Sequence, residues 1–134
     1  MEEKYIKAIE AKNNAYARYS KFHVGACLVL KDGKFIIGSN IENSSYGLCN
    51  CAERSALFAA YSNGYRQNDI LELVICTDNL EPASPCGACR QVINDLMLPN
   101  AKVTLINPQL KNTKEYLVKD LLPFAFTPED LENE

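Results

Sequence analysis

Two short cysteine motifs, Cys51-Ala52-Glu53 and Pro85-Cys86-Gly87-Ala88-Cys89, lie well apart in this chain. If Cys51, Cys86 and Cys89 hold one tetrahedral metal ion, the fold must bring two distant segments to a single point. Three ligands leave the fourth position open, which is the arrangement of a catalytic zinc site; structural sites close with four. Glu53, two residues beyond the first ligand, is placed to exchange protons with a metal-activated water. Plainer readings exist for each part. Cys86-Gly87-Ala88-Cys89 alone fits a redox pair, and a glutamate in the first turn of a helix often does no more than complement the helix dipole. The two motifs together favour the metal. Cys49 does not close a four-cysteine site, because Cys49-x-Cys51 is shorter than the usual ligand spacing. His23, the only histidine, stands at a strand start far from both motifs and is read as a non-ligand.

The pattern of apolar residues supplies the scaffold. Glu2 to about Arg18 reads as a helix with Tyr5, Ile6, Ile9 and Tyr16 on its apolar side. Val24 to Leu30 and Phe35 to Ile41 read as a hairpin about the turn signal Lys31-Asp32-Gly33-Lys34. Cys51 to Tyr61 is helical and apolar nearly all round, hence central, and Asn63-Gly64 stops it. Leu71 to Cys76 is a third strand. Cys89, Val92, Ile93, Leu96 and Met97 follow helical spacing up to Pro99-Asn100. Val103 to Ile106 and Tyr116 to Val118 are two more strands, and Pro128 to Glu134 is a short acidic helix or tail. This order predicts one α/β domain over residues 1–134, with a mixed five-stranded sheet between helical layers (α-β-α) and right-handed crossovers. Each cysteine motif follows a strand and opens a helix, and in open α/β sheets ligand sites collect at the carboxyl ends of strands.

Charge and composition narrow the function. A formal net charge of −3 argues against a polynucleotide partner, which demands a basic face. It leaves room for a single nucleoside. No apolar run approaches the roughly 20 residues of a membrane span, and the acidic start Met1-Glu2-Glu3-Lys4 lacks a secretory core, so a cytoplasmic address is expected. Without export, six cysteines point to metal binding or burial rather than disulfides. Cys27 and Cys76 lie in apolar runs and read as core residues.

Three thiolates and Zn²⁺ sum to −1, an excess that would blunt the Lewis acidity of the metal. Arg54 and Arg90 directly follow the two motifs. Arg54 is expected to donate to ligand sulfur and withdraw charge; the plainer reading makes it a solvated or salt-bridged surface residue.

These motifs, with Ala17-Arg18-Tyr19-Ser20-Lys21-Phe22, Val24-Gly25-Ala26, Asn40-Ile41-Glu42-Asn43, Tyr46-Gly47, Asn50-Cys51-Ala52-Glu53-Arg54, Ser84 to Val92, Leu121-Leu122-Pro123 and Phe126, resemble the small homotetrameric zinc-dependent cytidine deaminases over nearly the whole chain. The resemblance implies one Zn²⁺ per chain on Cys51, Cys86 and Cys89, with Glu53 as the catalytic proton carrier. It implies hydrolytic deamination of cytidine and deoxycytidine to uridine and deoxyuridine plus ammonia, as in pyrimidine salvage. Phe22 would stack on the pyrimidine, Asn40 and Glu42 would bind the ribose hydroxyls, and the backbone N–H of Ala52 would hold the base carbonyl. Ser44, Tyr46 and Phe126 would reach the site of a neighbouring subunit. On residues alone, Asn40 and Glu42 equally suit a strand-end turn. Phe124 stands where the family often has a small residue, and Ser44-Ser45 replaces a small apolar pair. The alternatives are a deaminase of a nucleoside antibiotic such as blasticidin S, or of another base, and a non-catalytic zinc-binding module.

Overall fold

Alternation of side chains along the strands divides the apolar residues between the two faces of one sheet. The computed structural model describes residues 1–132. Its strands are β1 (Gly25–Leu30), β2 (Phe35–Ser39), β3 (Ile70–Cys76), β4 (Lys102–Ile106) and β5 (Lys114–Leu117), in the spatial order β2-β1-β3-β4-β5. All neighbours are antiparallel except β3 and β4, whose parallel pairing sets Glu72 opposite Lys102 and Cys76 opposite Ile106. The mixed five-stranded sheet expected from the sequence is present.

One face carries Ala26, Leu28, Leu73, Ile75, Val103 and Leu105, packed under α2 (Ala52–Ser62) and α3 (Gly87–Leu96). The opposite face carries Cys27, Val74, Cys76 and Ile106, packed against α1 (Glu3–Asn13). Burial of each large side chain in these layers is worth about 1.5–3 kcal/mol. Burial also pushes the Cys27 thiol up to about 12 and that of Cys76 up to about 11, so both are inert core residues, as read from sequence.

Two glycines set how closely the helices seat. A Cβ on Gly38 would stand 2.4 Å from the Ala56 nitrogen and 2.6 Å from the Ala52 oxygen, both in the backbone of α2. A Cβ on Gly25 would meet the Ala8 oxygen and the Lys12 nitrogen of α1 at 2.2 Å. Each helix therefore lies directly on strand backbone, on opposite faces of the sheet.

The structure corrects several sequence expectations. The first helix stops at Asn13, and Tyr16 is outside it: its N–H bonds to the Asn40 oxygen at 2.9 Å, and the residue bridges Ile41. An Asn13-Asn14 pair favours leaving the helix, because short amide side chains compete with the backbone for hydrogen bonds. The last strand begins at Lys114, two residues early, and Val118 passes into a 3₁₀ turn, Val118–Asp120. The central helix is not covered all round, for Phe58 is exposed. The acidic C-terminal helix, α4, spans Pro128–Glu132; the rest of that expected segment lies outside the described residues. Among the described residues, no helix is long and apolar enough to cross a membrane.

Candidate metal and active site

Both cysteine motifs end as helix caps. Cys51 is the N-cap of α2 and Cys86 the N-cap of α3, each with extended backbone, and Cys89 lies one turn into α3. Cys51 is delivered by the segment that leaves β2. There Ile41 and Asn50 exchange two backbone hydrogen bonds, at 3.0 and 2.9 Å, closing the intervening loop. Arg90 pins the second motif through bonds to the Pro85 oxygen (2.8 Å), Ser84 Oγ (2.9 Å) and the Leu121 oxygen (2.8 Å).

The result is a cluster in which the sulfurs of Cys51, Cys86 and Cys89 all lie within 4.8 Å of one another. Ligands at a Zn–S distance of about 2.3 Å in a tetrahedron stand about 3.8 Å apart, so the cluster fits zinc. The surrounding charge fits as well. Arg54 Nη2 donates to Cys51 Sγ at 3.3 Å, the contact expected from the sequence, and its Nε is buried without a partner. The guanidinium thus sets a positive charge against one of the three clustered sulfurs. Donation from Cys89, then from Arg54, pulls the Cys51 thiol down to about 5. The same interaction pushes the Cys89 thiol up. Arg90 reaches no ligand sulfur; its work is holding loops. Cys49 and His23 stand outside the cluster, as expected. Cys49 Sγ bonds to the backbone of Asn43 and His23 Nδ1 to the Lys21 oxygen.

Glu53 is 5% exposed. Burial pushes its pKa up, and the neighbouring Cys51 thiolate adds to the rise. A carboxyl group raised in this way holds a proton more readily than an exposed glutamate does.

Two adjoining cavities of about 330 and 340 Å³ open beside the cluster and share Ser20, Asn40, Glu42 and Cys51. Such volumes suit a small molecule. The second is lined by Phe22, Asn40 and Glu42 together with Cys51, Ala52, Glu53 and Cys86. Tyr46 and Arg54 line the first. Thus Phe22, Asn40, Glu42, Ala52 and Glu53 are brought together at the metal cluster. Ser44 and Phe126 line neither cavity; Phe126 is held on the C-terminal segment, where its oxygen accepts from Gln91 Nε2 at 2.9 Å.

Asn40 and Glu42 also do what the plainer reading allowed. Asn40 Oδ1 accepts the Val24 N–H and its Nδ2 donates to the Phe22 oxygen, both at 2.8 Å. Glu42 accepts from the backbone of Tyr19 and Ser20 and from the Ser20 hydroxyl. Ser20, Thr77 and Ala83 line the cavity without having been singled out. For Ser20 the only sequence signal was its place within the Tyr19-Ser20-Lys21-Phe22 run.

Residues 1–105 match the family model of the cytidine and deoxycytidylate deaminase zinc-binding region. A cytidine deaminase of Halalkalibacterium halodurans is 52% identical over 93% of this chain and 92% of its own length. One of Sporosarcina psychrophila is 49% identical over 91% and 88%. The crystal structure of cytidine deaminase from Burkholderia pseudomallei superposes with a TM-score of 0.88 at 46% identity, covering 94% of this chain and all of the other. That from Mycobacterium tuberculosis gives 0.76 at 34% identity, covering 91% and 93%. With the sulfur cluster, the buried glutamate and these likenesses in place, the chain belongs to the zinc-dependent cytidine and deoxycytidylate deaminase family.

Proposed function

We propose that this protein is a hydrolytic deaminase of free cytidine and deoxycytidine, releasing ammonia and leaving uridine or deoxyuridine. One observation carries the reading: a single cavity is lined both by the metal-cluster end, Cys51, Glu53 and Cys86, and by the aromatic and polar set Phe22, Asn40 and Glu42. Cys51, Cys86 and Cys89 would hold zinc. When bound, zinc supplies a Lewis acid that acidifies a water for attack on C4 of cytosine. Phe22 offers its ring to the flat pyrimidine. Asn40 and Glu42 keep hydrogen-bonding capacity for the sugar hydroxyls, and the Ala52 N–H, at the start of α2, is suited to the base carbonyl. Glu53 takes the proton of the attacking water and passes one to N3, which makes C4 more electrophilic. Once the hydroxyl has added to C4, Glu53 takes that hydroxyl's proton and passes it to the amine; the C4–N bond breaks, the C4 carbonyl forms and ammonia leaves.

The homotetramer belongs to this proposal. Tyr46 is 89% exposed and Phe126 56% exposed, a state that suits docking on other copies. In such an assembly Ser44, Tyr46 and Phe126 complete neighbouring sites. The substrate is a nucleoside rather than a polymer, in keeping with the net charge of −3. All six cysteines are free, and a thiolate metal site is best preserved in a reducing compartment such as the cytoplasm.

A substrate panel tests the reading. The zinc-loaded protein is incubated with cytidine, deoxycytidine, blasticidin S, adenosine and guanine, and ammonia and zinc content are measured. Ammonia from the first two substrates is expected. Failure to deaminate cytidine with one zinc per chain bound would leave a non-catalytic module, and turnover of blasticidin S alone would move the substrate class to nucleoside antibiotics.

A further inference from the structure

Ser20 touches both walls of the cavity through one hydroxyl. Its Oγ donates to Glu42 Oε2 and accepts the Phe22 N–H at 3.0 Å. Glu42 Oε1 accepts the N–H groups of Tyr19 at 2.8 Å and Ser20 at 3.0 Å. A carboxylate has roughly four acceptor positions, so three are filled within the chain and one remains for a ligand. The Phe22 peptide is correspondingly gripped at both ends, its N–H by Ser20 and its oxygen by Asn40 Nδ2 at 2.8 Å. Between Ser20 and Phe22, Lys21 sits at φ 63°, a left-handed backbone that a lysine keeps only where its surroundings over-determine it.

We propose that Ser20 is a positioning residue for nucleoside recognition: its hydroxyl fixes the Glu42 carboxylate against the Phe22 backbone, so that the sugar wall and the base platform are held as one unit. The proposal rests on the reading of Glu42 as a sugar ligand and Phe22 as the base platform. Without that hydroxyl the Glu42 carboxylate is held through Oε1 alone, and ordering its other oxygen at the moment of binding weakens affinity. The donors supplied by this loop hold its carboxyl below the usual carboxylate range, the Ser20 hydroxyl first among them. Removing that hydroxyl frees one carboxylate oxygen and leaves the Phe22 N–H without its acceptor. The bond being broken in the substrate lies at the other end of the cavity, beside Glu53, so the loss falls on binding rather than on the chemical step.

The test compares the full-length zinc-loaded protein with Ser20→Ala, Ser20→Thr, Glu42→Gln and the Ser20→Ala/Glu42→Gln double variant, using cytidine as substrate. Ser20→Ala is expected to raise KM about tenfold, the scale of one lost hydrogen bond to a charged group, with kcat within about twofold. Ser20→Thr keeps the hydroxyl and is expected to restore KM. On the Glu42→Gln background, Ser20→Ala is expected to add little, because the two act as one unit. An unchanged KM in Ser20→Ala, or effects that multiply independently in the double variant, overturns the proposal. So does a Ser20→Ala protein that loses zinc, thermal stability and kcat together, which would make Ser20 a structural residue only. If Glu42→Gln leaves KM unchanged, the sugar reading of Glu42 fails first. If Glu42→Gln raises KM and Ser20→Ala does not, only the role of Ser20 fails.

Discussion

In the proposed mechanism Glu53 carries a proton for part of the cycle at a pH where an exposed glutamate is ionised. Burial under the first turn of α2 makes that possible by penalising its charged form. Glu53→Ala is therefore expected to retain zinc while turnover falls by about 10²–10⁴, the usual contribution of a positioned acid/base. Metal analysis beside steady-state rates checks both halves, and efficient deamination by the variant would sink the assignment. In the proposed zinc site Arg54 would act on the metal through Cys51. Its single bond to sulfur, with the remaining guanidinium edge buried, predicts that Arg54→Ala loosens zinc by about 10–100-fold, as other outer partners of metal ligands do. Competition with a chelator measures this, and an unchanged zinc affinity would remove the charge-compensation idea. Arg90 shows how far a sequence argument reaches at this scale. It holds the same place after its motif as Arg54, yet its donors are taken by Pro85, Ser84 and Leu121.

At the scale of elements, the site depends on how closely α2 lies on β2. The missing Cβ of Gly38 admits the backbone of Ala52 and Ala56, and Ala52 stands between Cys51 and Glu53. Gly38→Ala must lift the start of α2, at about 1–3 kcal/mol for overpacking. The expected outcome is a lower Tm together with reduced zinc content. Gly25→Ala, which strikes α1 on the other face, should lower Tm and keep the metal. Equal zinc loss in both variants would show that overall stability, not helix placement, governs the site. Helix α1 is fastened by a polar set around the buried Glu72: Lys4 Nζ, half-buried, donates to it at 2.9 Å, and Thr104 Oγ1 donates to the same carboxylate at 2.5 Å. Burial lowers the pKa of Lys4, but the bond and charge of Glu72 outweigh it and leave it above its usual 10.5. A raised lysine pKa contributes stability that is complete below that value and is lost as pH rises through the folded one. Lys4→Met leaves Glu72 with only the Thr104 hydroxyl and is expected to cost about 1–3 kcal/mol at neutral pH, measured by denaturant unfolding. A cost near zero would mean that Thr104 and water suffice for Glu72.

For the whole molecule, the outward-facing aromatics are the main unfinished business. Phe124 is fully exposed at φ 56°, a left-handed backbone that is strained for a bulky side chain and costs about 1–3 kcal/mol. It stands in the same segment as Phe126, close to where Gln91 anchors that segment to α3. Assembly into the proposed tetramer would cover such a surface. Light scattering is expected to give four times the 15.0 kDa chain mass. Phe126→Ala is expected to weaken that assembly and raise KM together, because a neighbouring copy would lose a piece of its site. A fully active monomer would defeat the sharing of sites between subunits.

The three clustered cysteines and the order of strands and helices were legible in the sequence because they are local patterns. Ligand spacing, helix starts and alternating apolar residues each report on a few adjacent positions. Element ends were less legible: the Asn13-Asn14 pair is only a weak local stop, and Tyr16 beyond it pairs with Asn40 and Ile41, partners that no local pattern names. The wall of the site facing the metal was legible only as a resemblance. Asn40 and Glu42 look like ordinary turn residues until the fold sets them beside the Phe22 loop, where they hold its backbone and border the cavity. Ser20 was invisible for the same reason, since a serine in a loop declares nothing without its two partners. The sequence by itself determined which atoms could bind a metal and move a proton. Only the tertiary structure decided which donors those atoms would face, because hydrogen bonds between distant segments depend on how helices seat on a sheet, and that seating is set by packing against backbone at Gly25 and Gly38.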